Sequence, residues 1–324
     1  MEIFFEVGVD FMVNNEFIEV VMPTYNGANF VEEQIDSIYR QTLRPSRLLV
    51  RDDNSHDGTK QILERLSDSY GPWLYLLPSY SNVGCTSSID LLLRATKSPY
   101  VAFSDQDDVW LPEKLYLLFF ELQHVEKIYG PNIPILVHSD LQLVGKKLDP
   151  FNISYMQMQN INPQLNTPDL LSLTNVVTGC TSLFNRRLVD LALPIPSTAL
   201  VHDWWFALVT SVFGHIVLIR PSPILYRQHD SNLIGAHGLG FDYWFERLRE
   251  WVFNPSSGGH TMSAIHQMET FRQRYAVKVS HLPSLVKLSR FTRIFYLLRL
   301  PIAEWPRKHG FLRTLALYFW LMRV

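Results

Sequence analysis

From residue 17 to residue 108 the chain alternates short apolar runs with stretches that place apolar side chains at helical spacing. Phe17-Ile18-Glu19-Val20-Val21-Met22 predicts a strand that ends at Pro23-Thr24-Tyr25-Asn26-Gly27. Residues 29–40 follow as a helix, with Phe30, Val31, Ile35 and Ile38 on one face. Arg47-Leu48-Leu49-Val50 predicts a second strand, stopped by Arg51-Asp52-Asp53-Asn54-Ser55. Asp57-Gly58-Thr59 opens a helix carrying Ile62, Leu63 and Leu66. Residues 73–77, 86–96 and 100–103 read as a third strand, a third helix and a fourth strand. Strands separated by helices of this length imply βαβ units, hence an α/β fold with a mostly parallel, Rossmann-like sheet flanked by helices.

Ligands of such sheets sit outside the C-terminal ends of the strands. Thr24-Tyr25-Asn26, Asp52-Asp53 and Asp105-Gln106-Asp107 all fall there, so they should converge on one edge. The last cluster continues into Asp108, and carboxylates this crowded repel one another. A divalent cation carrying a diphosphate removes the repulsion, because Mg²⁺ typically binds one or two carboxylates together with substrate phosphates. The competing reading is an acidic turn that starts the next helix, at Pro112-Glu113-Lys114.

The second half is less regular. Residues 135–140, 176–184 and 216–219 read as strands, the last leading to Ile224-Leu225-Tyr226-Arg227-Gln228-His229, and residues 201–213 read as a helix opened by His202-Asp203. Residues 230–260, with Gly235, Gly238 and Gly240, read as a loop, and the chain after Thr261 as mostly helical.

Composition adds bounds. The apolar fraction of 47% over 324 residues supports a sizeable core without disorder, and a net charge of −2 gives no argument for nucleic acid. The charge is uneven: eight Lys/Arg against one acid make residues 286–324 +7, so the rest carries −9. Arg there is mixed with Phe, Tyr, Trp and Leu, which suits helices lying in an anionic membrane interface, or a helix pair packed on the catalytic domain or on a second subunit. Two cysteines, Cys85 and Cys180, imply no disulfide framework. With no basic signal-like start and no long apolar span, the expectation is a cytoplasmic protein, peripheral at the inner face of the cell membrane.

The motifs Val21-Met22-Pro23-Thr24-Tyr25-Asn26-Gly27, Asp52-Asp53-Asn54-Ser55-His56-Asp57-Gly58-Thr59 and Asp105-Gln106-Asp107-Asp108 together resemble family 2 glycosyltransferases of the GT-A fold. Thr178-Gly179-Cys180, His202-Asp203-Trp204-Trp205 and Tyr226-Arg227-Gln228-His229 look like the bacterial rhamnosyltransferase branch. The resemblance covers residues 17–235, the expected catalytic domain, and leaves 236–324 as a loop and helical, basic extension. It implies an inverting transferase that moves a sugar from a dTDP- or UDP-sugar to a saccharide or lipid-linked acceptor. It also implies that Pro23 and Tyr25 line the base pocket and that Asp53 accepts from the pyrimidine N3–H. Asp105 and Asp107 would hold the diphosphate and its Mg²⁺ or Mn²⁺, and Asp203 would be the general base.

Other residues remain open between two uses. Asp203 suits a base and also a helix cap. Arg227 and His229 could offer cationic donors to the diphosphate, or Arg227 could form a surface salt bridge. Of Trp204 and Trp205, about 100° apart on a helix, one suits the core and the other a sugar. His202 and Gly179 belong to the same expected donor and acceptor pocket. Asn82-Val83-Gly84 suits a close approach to the donor, because Gly lets the backbone come near. Asp52 reads as a loop-bonding residue, and Cys180 as a small buried one. A UDP-hexose transferase and a non-catalytic sugar-nucleotide-binding subunit are the alternatives to a rhamnosyltransferase.

Overall fold

A computed structural model describes residues 17–172, 174–228 and 259–279, with side chains from 262 in the last segment. The readings made for residues 1–16, 230–258 and 280–324, the basic tail included, lie outside the described residues. The first half follows the expected alternation: β1 (Ile18–Thr24), α1 (Val31–Tyr39), β2 (Arg47–Asp52), α2 (Thr59–Tyr70), β3 (Leu74–Leu76), α3 (Cys85–Ala95) and β4 (Tyr100–Phe103). Then come β5 (Val109–Trp110), α4 (Lys114–Tyr129), β6 (Ile135–His138), β7 (Gln142–Val144) and β8 (Pro150–Ser154). The helices α5 (Tyr155–Gln159) and α6 (Pro168–Leu171) precede β9 (Leu183–Asn185), α7 (Arg186–Ala192) and α8 (His202–Phe213). The described chain closes with β10 (His215–Leu218), β11 (Ile224–Arg227) and α9 (Gly259–Arg274).

The main sheet has the order β10-β6-β9-β4-β1-β2-β3. It is parallel except at β9, which runs antiparallel to both β4 and β6. Its central strands β1, β2, β4, β6 and β9 are buried on both faces, as strands covered by helices on both sides must be. On β1, Val20 and Met22 join the apolar layer of α1, α2 and α4, while Val21 joins that of α3, α7, α8 and α9. This period-two division accounts for the unbroken apolar runs. Phe271 of α9 is fully buried in the second layer, so part of the segment expected to form an extension packs into the same core.

Two expectations are corrected. The strand read over 176–184 is confined to Leu183–Asn185, because Gly179–Thr181 forms a 3-10 turn; an apolar run alone does not separate strand from turn. A second sheet, β5-β11-β7-β8, was not foreseen because its strands are only two to five residues long. It begins directly behind the acidic loop.

Candidate active site

The loops after β1 and β2 are knitted together. Asn26 N–H donates to Ser55 Oγ (2.9 Å), Gly27 N–H to Thr59 Oγ1 (2.8 Å) and Ala28 N–H to Asp57 Oδ2 (3.0 Å). Asp52 is a loop-bonding residue, accepting from Thr24 Oγ1, Ser55 N–H and Ser55 Oγ. Pro23 ends β1 half-buried, and the Tyr25 side chain beyond it is 46% exposed. The Gln106 amide holds Tyr25 from the acidic loop, accepting from its N–H (2.8 Å) and donating to its carbonyl (2.9 Å). Gly27 makes room for this, since a Cβ there would stand 2.3 Å from Gln106 Oε1.

Asp53 is buried rather than open on the pocket floor. Its carboxylate accepts from Arg51 Nη1 (2.5 Å), Val83 N–H (2.8 Å) and Gly84 N–H (2.8 Å). These bonds outweigh burial and hold its pKa below the ordinary value. Asn82 donates to the Asp53 carbonyl (2.9 Å), and Gly84 takes φ +85°, a left-handed conformation suited to glycine. Asp53 therefore anchors residues 82–84 beside Tyr25's loop, with three of its four lone-pair directions already used.

In the acidic loop, Asp105 and Asp108 lie with Cys180, one ligand atom of each within 4.8 Å of the others. Desolvation, then the Asp107 charge, pushes the Asp105 carboxyl up to about 7. Asp108 is fully buried, neither oxygen has a nitrogen or oxygen donor among the described residues, the Cys180 thiol lies beside it, and burial raises its pKa well above normal. It does not cap the next helix, whose N-cap is Glu113. Orphaned, buried carboxylate oxygens facing a second carboxylate fit a hard dication that shares phosphate oxygens. The expected partner Asp107 is half-buried, and its carbonyl is held by Arg227.

Asp203 lies in the first turn of α8, and its side chain is fixed from the opposite side of the site. Oδ2 accepts from Gly179 N–H (2.8 Å) and Oδ1 from Asn175 Nδ2 (3.0 Å). Asn175 in turn clasps its own loop, bonding Val177 N–H and carbonyl. A Cβ on Gly179 would stand 2.9 Å from His202 Nε2 and 3.3 Å from Asp203 Oδ2, so that turn requires glycine. His202 is buried edge-on against Phe103, its pKa lowered by desolvation. Cys85 is exposed at the start of α3, and the charges of Asp105, Asp203 and Asp53 all act to raise its thiol pKa.

Three pocket expectations change. Trp205 is fully buried against Phe271, with Nε1 bonded to the Ala192 carbonyl, and is core rather than sugar-facing. Trp204 is half-buried and donates to the Leu171 carbonyl (2.6 Å). Arg227 is buried rather than on the surface, and it is engaged by the protein. Its buried guanidinium bonds the carbonyls of Asp107 (3.0 Å) and Lys146 (2.6 Å) and Glu33 Oε2 (2.5 Å). His229 lies outside the described residues. Sequence reasoning missed Gln106, Asn175 and Arg51. Each is a polar residue whose role shows only when its partner, 2 to 81 residues away, is in place.

The family model "Glycosyl transferase family 2" matches residues 19–191. An uncharacterized glycosyltransferase of Rickettsia prowazekii is 27% identical over 214 residues, 64% of each chain. The dTDP-rhamnosyl transferase RfbG of Shigella flexneri is 26% identical over 70% of this chain and 78% of its own. An Escherichia coli protein named UDP-Glc:alpha-D-GlcNAc-diphosphoundecaprenol beta-1,3-glucosyltransferase is 28% identical over 45% of this chain and 56% of its own. The chain thus spans less than two thirds of the Rickettsia and E. coli relatives. Among solved structures, S. aureus TarS 1-349 with UDP-GlcNAc superposes with a TM-score of 0.51 at 17% identity, over 90% of this chain and 78% of that one. A Pyrobaculum calidifontis mannosyltransferase with GDP-Man and Mn²⁺ superposes at 0.51 and 18% identity, over 94% and 87%. These likenesses establish the GT-A fold.

Proposed function

The chain belongs to glycosyl transferase family 2, and on that premise we propose that it transfers a sugar from a nucleoside diphosphate donor to a saccharide or lipid-linked acceptor with inversion. The observation that carries this is Asp203 in the first turn of α8, its carboxylate held by Gly179 N–H and Asn175 Nδ2. Inversion needs one carboxylate on the acceptor side, because the acceptor oxygen attacks the anomeric carbon directly. Asp203 takes the acceptor proton at its carboxylate, a contribution of roughly 10²–10⁴-fold. The two bonds that fix it also keep it from swinging away between turnovers.

On the donor side, Tyr25 stacks on the base, and the Asp53-anchored loop 82–84 offers backbone to the ribose and diphosphate. Asp105, with Asp107 or Asp108, would hold Mg²⁺ or Mn²⁺, which stabilises the departing diphosphate as a Lewis acid by several kcal/mol. We propose dTDP-L-rhamnose as the donor, supported by the motif blocks at Gly179, Asp203 and Arg227 and by the likeness to RfbG. A UDP-hexose is the second reading, supported by the E. coli relative's name. The product would enter cell-surface polysaccharide, with the basic segment 286–324 bringing the enzyme to the inner membrane face. Truncation at Ser289 should then abolish liposome co-sedimentation; unchanged sedimentation removes that part.

A donor panel tests the function: thermal shift with dTDP, UDP and GDP, each with and without Mn²⁺ or Mg²⁺, then transfer with the stabilising donor. Stabilisation by one pyrimidine diphosphate, larger with metal, is expected. Asp203→Asn should retain that shift and lose transfer at least 10²-fold. No nucleotide stabilisation overturns the reading, and strong residual turnover in the variant removes Asp203 as the base.

A further inference from the structure

Lys114 is fully buried, and the chemistry above leaves it without a task. Its ammonium donates to the Cys180 carbonyl (2.7 Å) and stands 3.0 Å from the centre of the Trp110 ring. Burial lowers its pKa well below normal, while the charges of Asp108 and Asp105 act the other way. A buried ammonium costs several kcal/mol unless it is compensated, and a lysine used only for packing would be better replaced by Leu or Met. Cys180 lies in the 3-10 turn Gly179–Thr181, whose Gly179 N–H holds Asp203. Lys114 itself opens α4, directly behind the acidic loop and β5. One side chain thus touches the turn that holds Asp203 and feels the charges of Asp108 and Asp105.

We propose that Lys114 is a positioning residue joining the two halves of the site: its bond to the Cys180 carbonyl fixes the turn that aims Asp203, and its charge supports Asp108 and Asp105. This deepens the transferase reading and rests on it for the catalytic consequence; the structural consequence stands alone. Loss of the ammonium frees a buried carbonyl and leaves the acidic pair without its cation. The turn should then open, and Asp203 should lose its fixed direction while the base pocket at Tyr25 and Asp53, on the far loops, stays intact.

Hydrogen exchange read by mass spectrometry, on the full chain, is the decisive measurement. In Lys114→Met, the peptide covering 176–184 should exchange at least 10-fold faster than in the wild type, with peptides covering 47–55 unchanged. Should that variant not fold, Lys114→Met with Asp108→Asn removes both charges and restores a neutral site. It is compared with Asp108→Asn alone, and the same acceleration is expected. In transfer assays kcat should fall about 10-fold while the donor KM stays within 2-fold, and Lys114→Arg should recover part of the loss. Unchanged exchange over 176–184, or a loss carried wholly by donor KM, overturns the proposal. A wild type that binds no nucleotide would sink the transferase reading, yet leave the exchange result free to uphold or refute the strut.

Discussion

Gly179→Ala tests whether the acceptor-side carboxylate is held as tightly as its contacts imply. A methyl at 179 would stand 2.9 Å from His202 Nε2 and 3.3 Å from both Cβ and Oδ2 of Asp203. The imidazole has little room to retreat. Its ring packs edge-on to Phe103 at 4.7 Å, and Phe103 is itself wedged against Phe184 (4.6 Å) and Phe206 (5.2 Å). Overpacking of this kind costs about 1–3 kcal/mol. Part of the strain should be relieved by moving Asp203, lengthening its 2.8 Å bond from Gly179 N–H. A 1 Å misplacement can cost about 10²-fold, so a shift of a few tenths of an ångström should lower kcat roughly 10-fold. Guanidinium denaturation measures the first effect; kcat and donor KM measure the second. Donor KM should not move, because Tyr25 and the 82–84 loop are untouched. Adding His202→Ala should return stability by vacating the contact. A Gly179→Ala enzyme with wild-type stability and kcat would refute the reasoning outright.

Arg227→Met should lower stability by about 2–3 kcal/mol in denaturant, because it strands two carbonyls and one carboxylate; an effect under 0.5 kcal/mol would show that the buried guanidinium holds nothing in place. Gly27→Ala should drive Gln106 off Tyr25 and weaken nucleotide binding by calorimetry, whereas unchanged affinity would separate Tyr25 from the base. His138 is buried and neutral, its pKa lowered by desolvation to about 4 from 6.5. Stability from this group is therefore present above pH 6.5 and is lost as pH falls toward 4, a term of about 3 kcal/mol. In His138→Leu the unfolding free energy should fall less over that window; an identical slope would assign the acid sensitivity elsewhere.

The sheet was legible because its central parallel strands are covered on both sides. Val20-Val21-Met22 and Leu48-Leu49-Val50 had to be apolar throughout, and helices between them carried their own period. The site was legible in its charged residues, since carboxylates at strand ends have few structural excuses. Their division of labour was not. Asp108 reads as a helix start until its burial and orphaned oxygens are seen, and Asp53 reads as a free acceptor until residues 83 and 84 close on it. Arg227 reads as a ligand, yet its three bonds go to residues 81 to 194 positions away. Polar residues that position others carry no local pattern: Gln106, Asn175 and Lys114 obey neither a helical nor a strand period for the job they do.

The same logic explains why the site can crowd so many like charges. Asp53 is paired with Arg51, whereas Asp203 is held by a side-chain amide and a backbone N–H, neither of which brings a countercharge. Only the acidic loop keeps carboxylates whose own protein partners are insufficient, and there desolvation raises both Asp105 and Asp108. Charge left unbalanced in one place is charge reserved for a ligand. A protein that merely bound a sugar nucleotide through Tyr25 and Asp53 would gain stability by replacing Asp108 with Leu. On the proposed reading, that cost to the fold is what holding a diphosphate and its cation requires.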